Sequence, residues 1–391
     1  MNSQILKSFF YSLSVLCGTI IGVGIFGLPY IALKVGFPIM LIYFFILGTL
    51  VALIHYFFAE ISLETPDLKR FPGFVEFHFG KSWARLAFFC AILGILGSNL
   101  AYLIVGGEFL KELFQPFFGQ GETFWVIIYF LLGSIFIFFD ISLIKRVEFF
   151  GLIGFFFVLF LIFFENFKKI NPINFSFSFN VSQIFLPYGA ILFSLWGADL
   201  IPEVEEMLGQ KKFLLKKIVP LSILISALVY LFFIYLVLGI SGPKTSENSL
   251  SGLNEVLGGG IVSLTLIFGI LTTFTSFIAL SLNLKKIFWY DLKLRKNFAF
   301  ILSSFPALFL YFLGIKNFIS VIGFVGSVML AINGIFILAM KIKTQNSTLN
   351  TQKFRTENLK NRIEKILIFL LIFVLILGIF YEIFYFFKKI L

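Results

Sequence analysis

Long apolar runs follow one another along almost the entire chain, and short polar stretches separate them. About 20 consecutive apolar residues are enough for an α-helix to cross the hydrocarbon core of a bilayer. The polar stretches are too short to form a soluble domain. The pattern therefore predicts an all-α integral membrane protein of about eleven transmembrane helices, at residues 9–33, 37–59, 83–110, 123–140, 147–164, 183–207, 218–240, 260–284, 297–314, 317–340 and 366–387.

The composition supports this prediction. Hydrophobic residues make up 59% of the chain and charged residues only 13%, whereas about 25% of the residues of a soluble domain are charged. A water-soluble enzyme is thereby excluded. The first run has several glycines and no small-residue cleavage pattern, so we expect a retained span rather than a signal peptide. Cys17 and Cys90 lie within apolar runs, which argues against a disulfide framework and a cysteine metal cage.

The charged residues predict an orientation in the cell membrane. The net charge is +11, and Lys and Arg concentrate in cytoplasmic loops. If the N-terminus is cytoplasmic, only eight of the 31 Lys and Arg residues lie outside: Lys34, Lys111, Lys168, Lys169, Lys244, Lys316, Lys388 and Lys389. We therefore expect a cytoplasmic N-terminus and an external C-terminus. The polar segment 341–365 is predicted to be a flexible cytoplasmic linker.

Two predicted spans are interrupted at matching places. Four residues separate Gly24 from Pro29 in the first span and Gly197 from Pro202 in the sixth. Glycine and proline both weaken a helix, and unwound backbone survives in a membrane only where it lines protein or a water-filled cavity. Each break alone is compatible with an ordinary kink, but a pair five spans apart predicts a transport site between inverted repeats.

The chain is then a single membrane transport domain, residues 1–391. Its first inverted repeat would hold helices 1–5 at residues 9–164, and its second would hold helices 6–10 at residues 183–340. Residues 366–387 would form an additional eleventh helix.

The broken ends predict a ligand with two opposite charges. A helix that resumes after a break presents free amides and about half a positive charge, which suits a carboxylate. These are the amides of Gly22, Val23 and Gly24. A helix that stops leaves carbonyls without intrahelical partners, which suits an ammonium group. These are the carbonyls of Phe193, Ser194 and Trp196. An α-amino acid satisfies both ends.

The residues around the breaks resemble two signatures of the amino acid/polyamine/organocation superfamily. They are GTIIGVGIFGLP at residues 18–29 and FSLWGADLIPEV at residues 193–204. Further stretches at 241–247, 290–294 and 318–326 resemble its amino acid/auxin permeases and bacterial aromatic amino acid permeases. The resemblance implies the five-plus-five inverted-repeat fold of sodium-coupled neurotransmitter symporters, with discontinuous helices 1 and 6. It also implies cation-coupled import of aromatic or other neutral amino acids.

The same resemblance implies the substrate contacts. The substrate carboxylate would bind the backbone of Gly22, Val23 and Gly24, and its amino group would bind the carbonyls of Ile20, Phe193, Ser194 and Trp196, beside Gly197. Trp196 is similar to the aromatic residue that covers the substrate in such transporters. The alternative for Trp196 is an ordinary packing or interfacial tryptophan.

Three hydroxyl residues in span eight suggest a coupling ion. Thr272, Thr275 and Ser276 are spaced i, i+3 and i+4 and share one helix face, and oxygen ligands suit a small hard cation. The resemblance implies a sodium ion between this helix and the first break, bound by the carbonyls of Gly18, Ile21 and Thr272 and by the hydroxyls of Thr275 and Ser276. The alternative is that the hydroxyls bond carbonyls of their own helix.

Proton coupling is the competing interpretation. An acid inside the membrane is costly and functional by default, and Asp199, at the sixth break, is the best placed candidate. The alternative for Asp199 is an N-cap of the helix that follows. We expect Glu108 and Asp140 to be interfacial and His55 to pack between helices. Four further polar residues are expected to join helices by hydrogen bonds, or else to line the pocket: Asn99, Tyr102, Asn283 and Asn333.

Other functions are less consistent with the chain. An integral-membrane enzyme needs convergent catalytic groups, but there are only 2 His and 2 Cys. A channel does not need a paired break. A transporter of another small amine, such as a polyamine, stays open. The sequence favours a multi-pass amino acid permease that is not an enzyme. It would need no cofactor beyond Na+ or H+ as coupling ion, and its partners would be substrate and lipid rather than nucleic acid.

Overall fold

The computed structural model describes residues 3–66, 69–140, 144–175, 183–351 and 359–390. All regular elements in these ranges are helical, because lipid offers no hydrogen-bond partner to the backbone. The α-helices are α1 (Ser3–Ile20), α2 (Gly24–Val35), α3 (Phe37–Glu64), α4 (Phe71–Phe79), α5 (Lys81–Phe118), α6 (Glu122–Phe138), α7 (Ile144–Asn166), α8 (Leu186–Leu195), α9 (Ile201–Leu208), α10 (Leu215–Ser241), α11 (Leu250–Leu257), α12 (Gly259–Lys286), α13 (Lys296–Phe312), α14 (Phe318–Phe324), α15 (Ala331–Thr351) and α16 (Leu359–Ile390).

Each predicted span coincides with one of these helices or with a consecutive pair. The pairs are α1 with α2 in the first span, α8 with α9 in the sixth, and α14 with α15 in the tenth. By length and composition, six described helical segments suffice to cross a membrane, and the bent pair of α1 and α2 makes seven; α6 and α13 are shorter apolar helices. The count of eleven spans and the inverted repeat remain predictions.

The segment predicted to be a flexible linker is partly helical. Helix α15 continues to Thr351 and α16 begins at Leu359, so the prediction is wrong for residues 341–351 and 359–365. Contacts with other elements hold this extension in place. Lys341 Nζ lies 2.6 Å from Glu60 Oε2 and 3.5 Å from Glu364 Oε1, and Lys343 donates to the carbonyl of His78. Residues 352–358 lie outside the described residues.

The broken spans pack at the centre of the helix assembly. Helix α10 packs against α1, α2 and α3, and α8 packs against both α2 and a π-helical segment, Val325–Leu330, that joins α14 to α15. A Cβ atom on Gly326 would lie only 1.9 Å from the carbonyl oxygen of Gly189. Backbone therefore meets backbone where the first half of the sixth span crosses the tenth, which leaves no room for side chains between them.

Candidate functional site

The first span is broken between α1 and α2. The two helices meet at an angle of 56°, and the amide of Gly22 turns back to donate to the carbonyl of Ile20 at 2.9 Å. The amide of Val23 donates to the hydroxyl of Tyr102, on α5, at 3.4 Å. The predicted carboxylate site thus lies at the start of α2, and a hydroxyl group of another helix stands beside it.

The sixth span is broken between α8 and α9. Trp196 is extended (φ −76°, ψ 126°), and a 3₁₀ turn, Ala198–Leu200, leads into α9. The amide of Trp196 donates to the Phe193 carbonyl at 3.3 Å. The next amide, that of Gly197, has no helical carbonyl to bond and donates instead to Nε2 of His55, on α3, at 2.9 Å. His55 therefore does more than pack between helices, since it completes the hydrogen bonding of the break.

The two breaks lie against each other. A Cβ atom on Gly24 would lie 2.2 Å from Ser194 Oγ and 3.1 Å from Ser194 Cα, and one on Gly197 would lie 2.6 Å from Ile20 Cγ1. Only glycine allows this approach at either position. The matching glycines of the two motifs are thus explained by contact between the two breaks.

A tyrosine hydroxyl bridges the breaks. Tyr230, on α10, is fully buried, and its hydroxyl oxygen lies 2.6 Å from the Ile20 carbonyl and 2.8 Å from the Ser194 carbonyl. A phenol has a single hydrogen to donate, so it satisfies one of the two carbonyls at a time. Two of the carbonyls predicted to bind an ammonium group therefore converge on one point, as that role requires.

A small cavity adjoins the first break. The centre of a water molecule can occupy a volume of about 10 Å³ within it. This space holds a single water. The predicted residues that line it are Ile21, Gly22, Val23, Thr272 and Ser276, and they are joined by Ile25, Phe26, Tyr102, Phe155 and Thr273. Residues of the predicted substrate site and of the predicted ion site thus line the same cavity. Two of the predicted ion ligands, Gly18 and Thr275, are not among the residues that line it.

The hydroxyls of both threonines at the predicted ion site bond carbonyls of α12, and one of these carbonyls is that of Thr272, itself a predicted ligand. The single hydrogen of the Thr272 hydroxyl is shared between the carbonyls of Phe268 (3.0 Å) and Gly269 (3.1 Å). That of the Thr275 hydroxyl is shared between the carbonyls of Leu271 (3.0 Å) and Thr272 (3.1 Å). These are the hydrogen bonds within the helix that the alternative interpretation predicts. A sodium ion bound to the Thr275 hydroxyl would replace the bonds of that hydroxyl.

The three acidic candidates lie in different surroundings. Asp199 is exposed, and the first turn of α9 receives no side-chain cap, so the N-cap interpretation does not hold. Glu108 accepts a hydrogen bond from Asn248 at 2.8 Å. Asp140 pairs with Lys285 at 2.7 Å and with Lys296 at 2.5 Å. Of the three, Asp199 alone adjoins a break.

The site is closed on the side of α2. Phe26 packs edge-on against Phe109, Phe155 and Phe233, with ring centroids 4.8, 5.6 and 6.0 Å away, and all four rings are buried. Ser249, just before α11, donates its hydroxyl to the Phe26 carbonyl. On the α9 side, Asp199 lies at the protein surface beside the second break.

Two side chains that bond the breaks, His55 and Tyr230, are not predicted to do so from the sequence, whereas Tyr102 is predicted to line the pocket as the alternative to joining helices. Each is a polar residue within an apolar run, and this is the feature of the sequence that could have identified it as a functional residue. Tyr102 both lines the cavity and bonds the Val23 amide of the first span. Asn99 does join helices, since its amide donates to Ser281, on α12, at 3.0 Å.

Comparisons with known proteins agree with this architecture. The model of the tryptophan/tyrosine permease family matches residues 6–381, and no curated protein matches the chain. The structure of MhsT in complex with L-phenylalanine is similar with a TM-score of 0.67 and 16% identity, over 95% of this chain and 98% of that one. An Eremococcus coleocola manganese transporter in complex with an aromatic bis-isothiourea compound is similar with a TM-score of 0.60 and 11% identity, over 98% and 96%. The predicted all-α transporter fold is thereby confirmed.

Proposed function

The chain belongs to the tryptophan/tyrosine permease family, and from this premise we propose that it is a secondary active transporter of aromatic or other neutral amino acids. Membership of a permease family makes it a multi-pass membrane transporter and not an enzyme, as the sequence predicts. The proposal depends on one observation above all. Two broken helices touch at Gly24 and Ser194, beside a cavity lined by backbone and hydroxyl groups. Such a junction suits alternating access around a central site.

The substrate carboxylate is assigned to the first break. The start of α2 carries partial positive charge, and the Tyr102 hydroxyl, which accepts from the Val23 amide, lies beside it. The Gly24 amide, joined by the Gly22 and Val23 amides once they leave the Ile20 carbonyl and the Tyr102 hydroxyl, would offer an anion several hydrogen bonds. A polyamine has no carboxylate and would leave this end of the site unused, so an amino acid is favoured over it.

The substrate ammonium group is assigned to the carbonyls of Ile20 and Ser194, with Phe193, Trp196 and Gly197 around them. The first two already converge on the hydroxyl of Tyr230, which has only one hydrogen for both of them. An ammonium group has three donors, so it satisfies both carbonyls at once.

For the coupling ion, we propose sodium at the cavity wall. Ile21, Thr272 and Ser276 line the cavity, and Gly18 and Thr275 would complete the oxygen set. The second candidate is a proton on Asp199, because this exposed carboxylate adjoins the second break.

Uptake of labelled tryptophan into proteoliposomes tests the function and the ion together. We expect uptake that depends on an inward sodium gradient and that unlabelled aromatic amino acids inhibit. Uptake driven by a proton gradient alone, and lost in Asp199→Asn, would assign coupling to Asp199. No uptake of any amino acid under either gradient would contradict the proposed function.

A glycine pair provides a matched test of the site. Gly24→Ala places a methyl group 2.2 Å from Ser194 Oγ, whereas the nearest atom to a methyl at Gly48, on α3, is Leu195 Cδ1 at 3.9 Å. We expect Gly24→Ala to abolish uptake in folded protein and Gly48→Ala to retain it. Equal uptake by the two variants would count against a site at the junction of the breaks.

A further inference from the structure

A buried histidine on α3 binds both to its own helix and to the second break. His55 is completely buried. Its Nδ1 lies 2.9 Å from the Val51 carbonyl oxygen, and its Nε2 lies 2.9 Å from the Gly197 amide nitrogen. Both ring nitrogens are thus engaged, although 142 residues separate His55 from Gly197 along the chain.

These two partners fix the protonation state of the ring. A carbonyl oxygen only accepts, so Nδ1 carries a hydrogen and donates to Val51. An amide N–H only donates, so Nε2 carries none and accepts from Gly197. The ring is therefore the neutral Nδ1–H tautomer. An imidazolium ion has a donor at each nitrogen and could not hold the Gly197 amide.

The bond to Gly197 replaces one that the break removes. Because Trp196 is extended, the Gly197 amide no longer faces a carbonyl of α8, and inside a membrane no bulk water is present to satisfy it. The Trp196 ring also stands edge-on to the imidazole, with centroids 5.0 Å apart at 80°. One side chain of the second span thus holds both the unwound backbone and the tryptophan beside it.

We propose that His55 is a positioning residue for substrate binding, and this proposal rests on the transport function proposed above. Its neutral imidazole keeps the sixth-span break in the form that turns the Ser194 and Trp196 carbonyls toward the substrate ammonium group. The group that matters is the acceptor at Nε2. His55 itself does not touch the substrate, so its loss affects substrate affinity first.

Two variants of His55 with an amide side chain distinguish the acceptor at Nε2 from the other properties of the imidazole ring. In His55→Gln the side-chain oxygen reaches about as far as Nε2 and accepts from Gly197. In His55→Asn the shorter amide reaches only the position of Nδ1, so it bonds Val51 and leaves Gly197 unsatisfied. Both variants are uncharged and polar, so they form a matched pair. The readouts are the KM and kcat of uptake and the thermal stabilisation of purified protein by tryptophan.

We expect a KM within about threefold of wild type for His55→Gln, and a rise of about tenfold or more for His55→Asn, the effect of one unsatisfied buried donor. The kcat should change less than the KM, and tryptophan should stabilise His55→Gln more than His55→Asn. Equal KM values for the two variants would overturn the proposal, while wild-type uptake would still support the transport function. Absence of uptake by wild type would instead defeat that function.

A measurement on the unmodified His55 ring does not depend on whether the two His55 variants fold. The chain has only 2 histidines, so ¹⁵N labelling of histidine gives two pairs of ring signals, and His78→Asn identifies those of His55. Solid-state NMR should find Nδ1 protonated and Nε2 unprotonated, with Nε2 in contact with the Gly197 amide hydrogen. A protonated Nε2 would overturn the proposal.

Discussion

Individual side chains from distant parts of the sequence satisfy the broken backbone. The Val23 amide bonds Tyr102, 79 residues away, and the Ile20 carbonyl bonds Tyr230, 210 residues away. Unpaired amides and carbonyls are expensive inside a bilayer, so each break needs such partners. A glycine and a proline in the sequence predict a break, but they do not indicate which helix supplies the partner.

Removing the bridging hydroxyl tests this view. Tyr230→Phe keeps the buried ring but removes the hydroxyl from the Ile20 and Ser194 carbonyls, and of these two Ile20 keeps the Gly22 amide as a donor. We expect loss of one buried hydrogen bond, about 1–3 kcal/mol in the free energy of unfolding, and uptake reduced about tenfold or more. Thermal unfolding and initial uptake rates in proteoliposomes measure the two effects.

Tyr235→Phe is the matched control on the same helix. Its ring is 37% exposed and stacks on Phe175 at 5.0 Å, a contact that phenylalanine preserves. We expect wild-type stability and uptake. If both tyrosine variants behave alike, the Tyr230 hydroxyl does not bridge the breaks.

At the scale of helices, hydropathy identifies the elements but not their partners. Every predicted span coincides with a helix or a helix pair, because lipid solvation imposes length and apolarity on each segment separately. The helical extension to Thr351 is not predicted, because contacts of Lys341 with α3 and α16 stabilise it. Such contacts depend on how each helix is rotated, and a helix that is apolar on all sides gives no sign of its rotation.

One buried lysine joins two helices. Lys285, near the end of α12, donates to the carbonyls of Ile137 (2.8 Å) and Phe138 (3.2 Å) at the end of α6 and pairs with Asp140 at 2.7 Å. Its side chain is 2% exposed. It thus caps α6 and attaches it to α12, which also carries the predicted ion ligands.

Lys285→Met should weaken this attachment. The methionine fills a similar volume but leaves the α6 carbonyls uncapped, so we expect about 1–3 kcal/mol lower free energy of unfolding. Lys286→Met, at the exposed neighbouring position, should be neutral. Thermal unfolding of the two variants in detergent provides the measurement, and equal stability would contradict the role assigned to Lys285.

For the molecule as a whole, orientation connects the sequence with the direction of transport. We infer a cytoplasmic N-terminus from the distribution of Lys and Arg. The α2 side, sealed by Phe26 and its neighbours, would then be external, and the exposed Asp199 would lie toward the cytoplasm.

Cysteine labelling tests this orientation. With Cys17 and Cys90 replaced by serine, a cysteine is placed at exposed Glu255, on α11, or at exposed Gln210, after α9. In right-side-out vesicles, a membrane-impermeant maleimide should label Glu255→Cys and spare Gln210→Cys until the membrane is permeabilised. The reverse pattern would invert the assignment of the two sides.

The central claim is that the two breaks together hold a zwitterion, and competition by substrate analogues tests it most directly. Unlabelled tryptophan, tryptamine and indole-3-propionate share the indole ring, but tryptamine lacks the carboxylate and indole-3-propionate lacks the ammonium group. Inhibition of labelled tryptophan uptake should require both groups, with each analogue weaker by about tenfold or more, as for loss of a charge-assisted hydrogen bond. Inhibition by tryptamine or indole-3-propionate as strong as that by tryptophan would contradict the account.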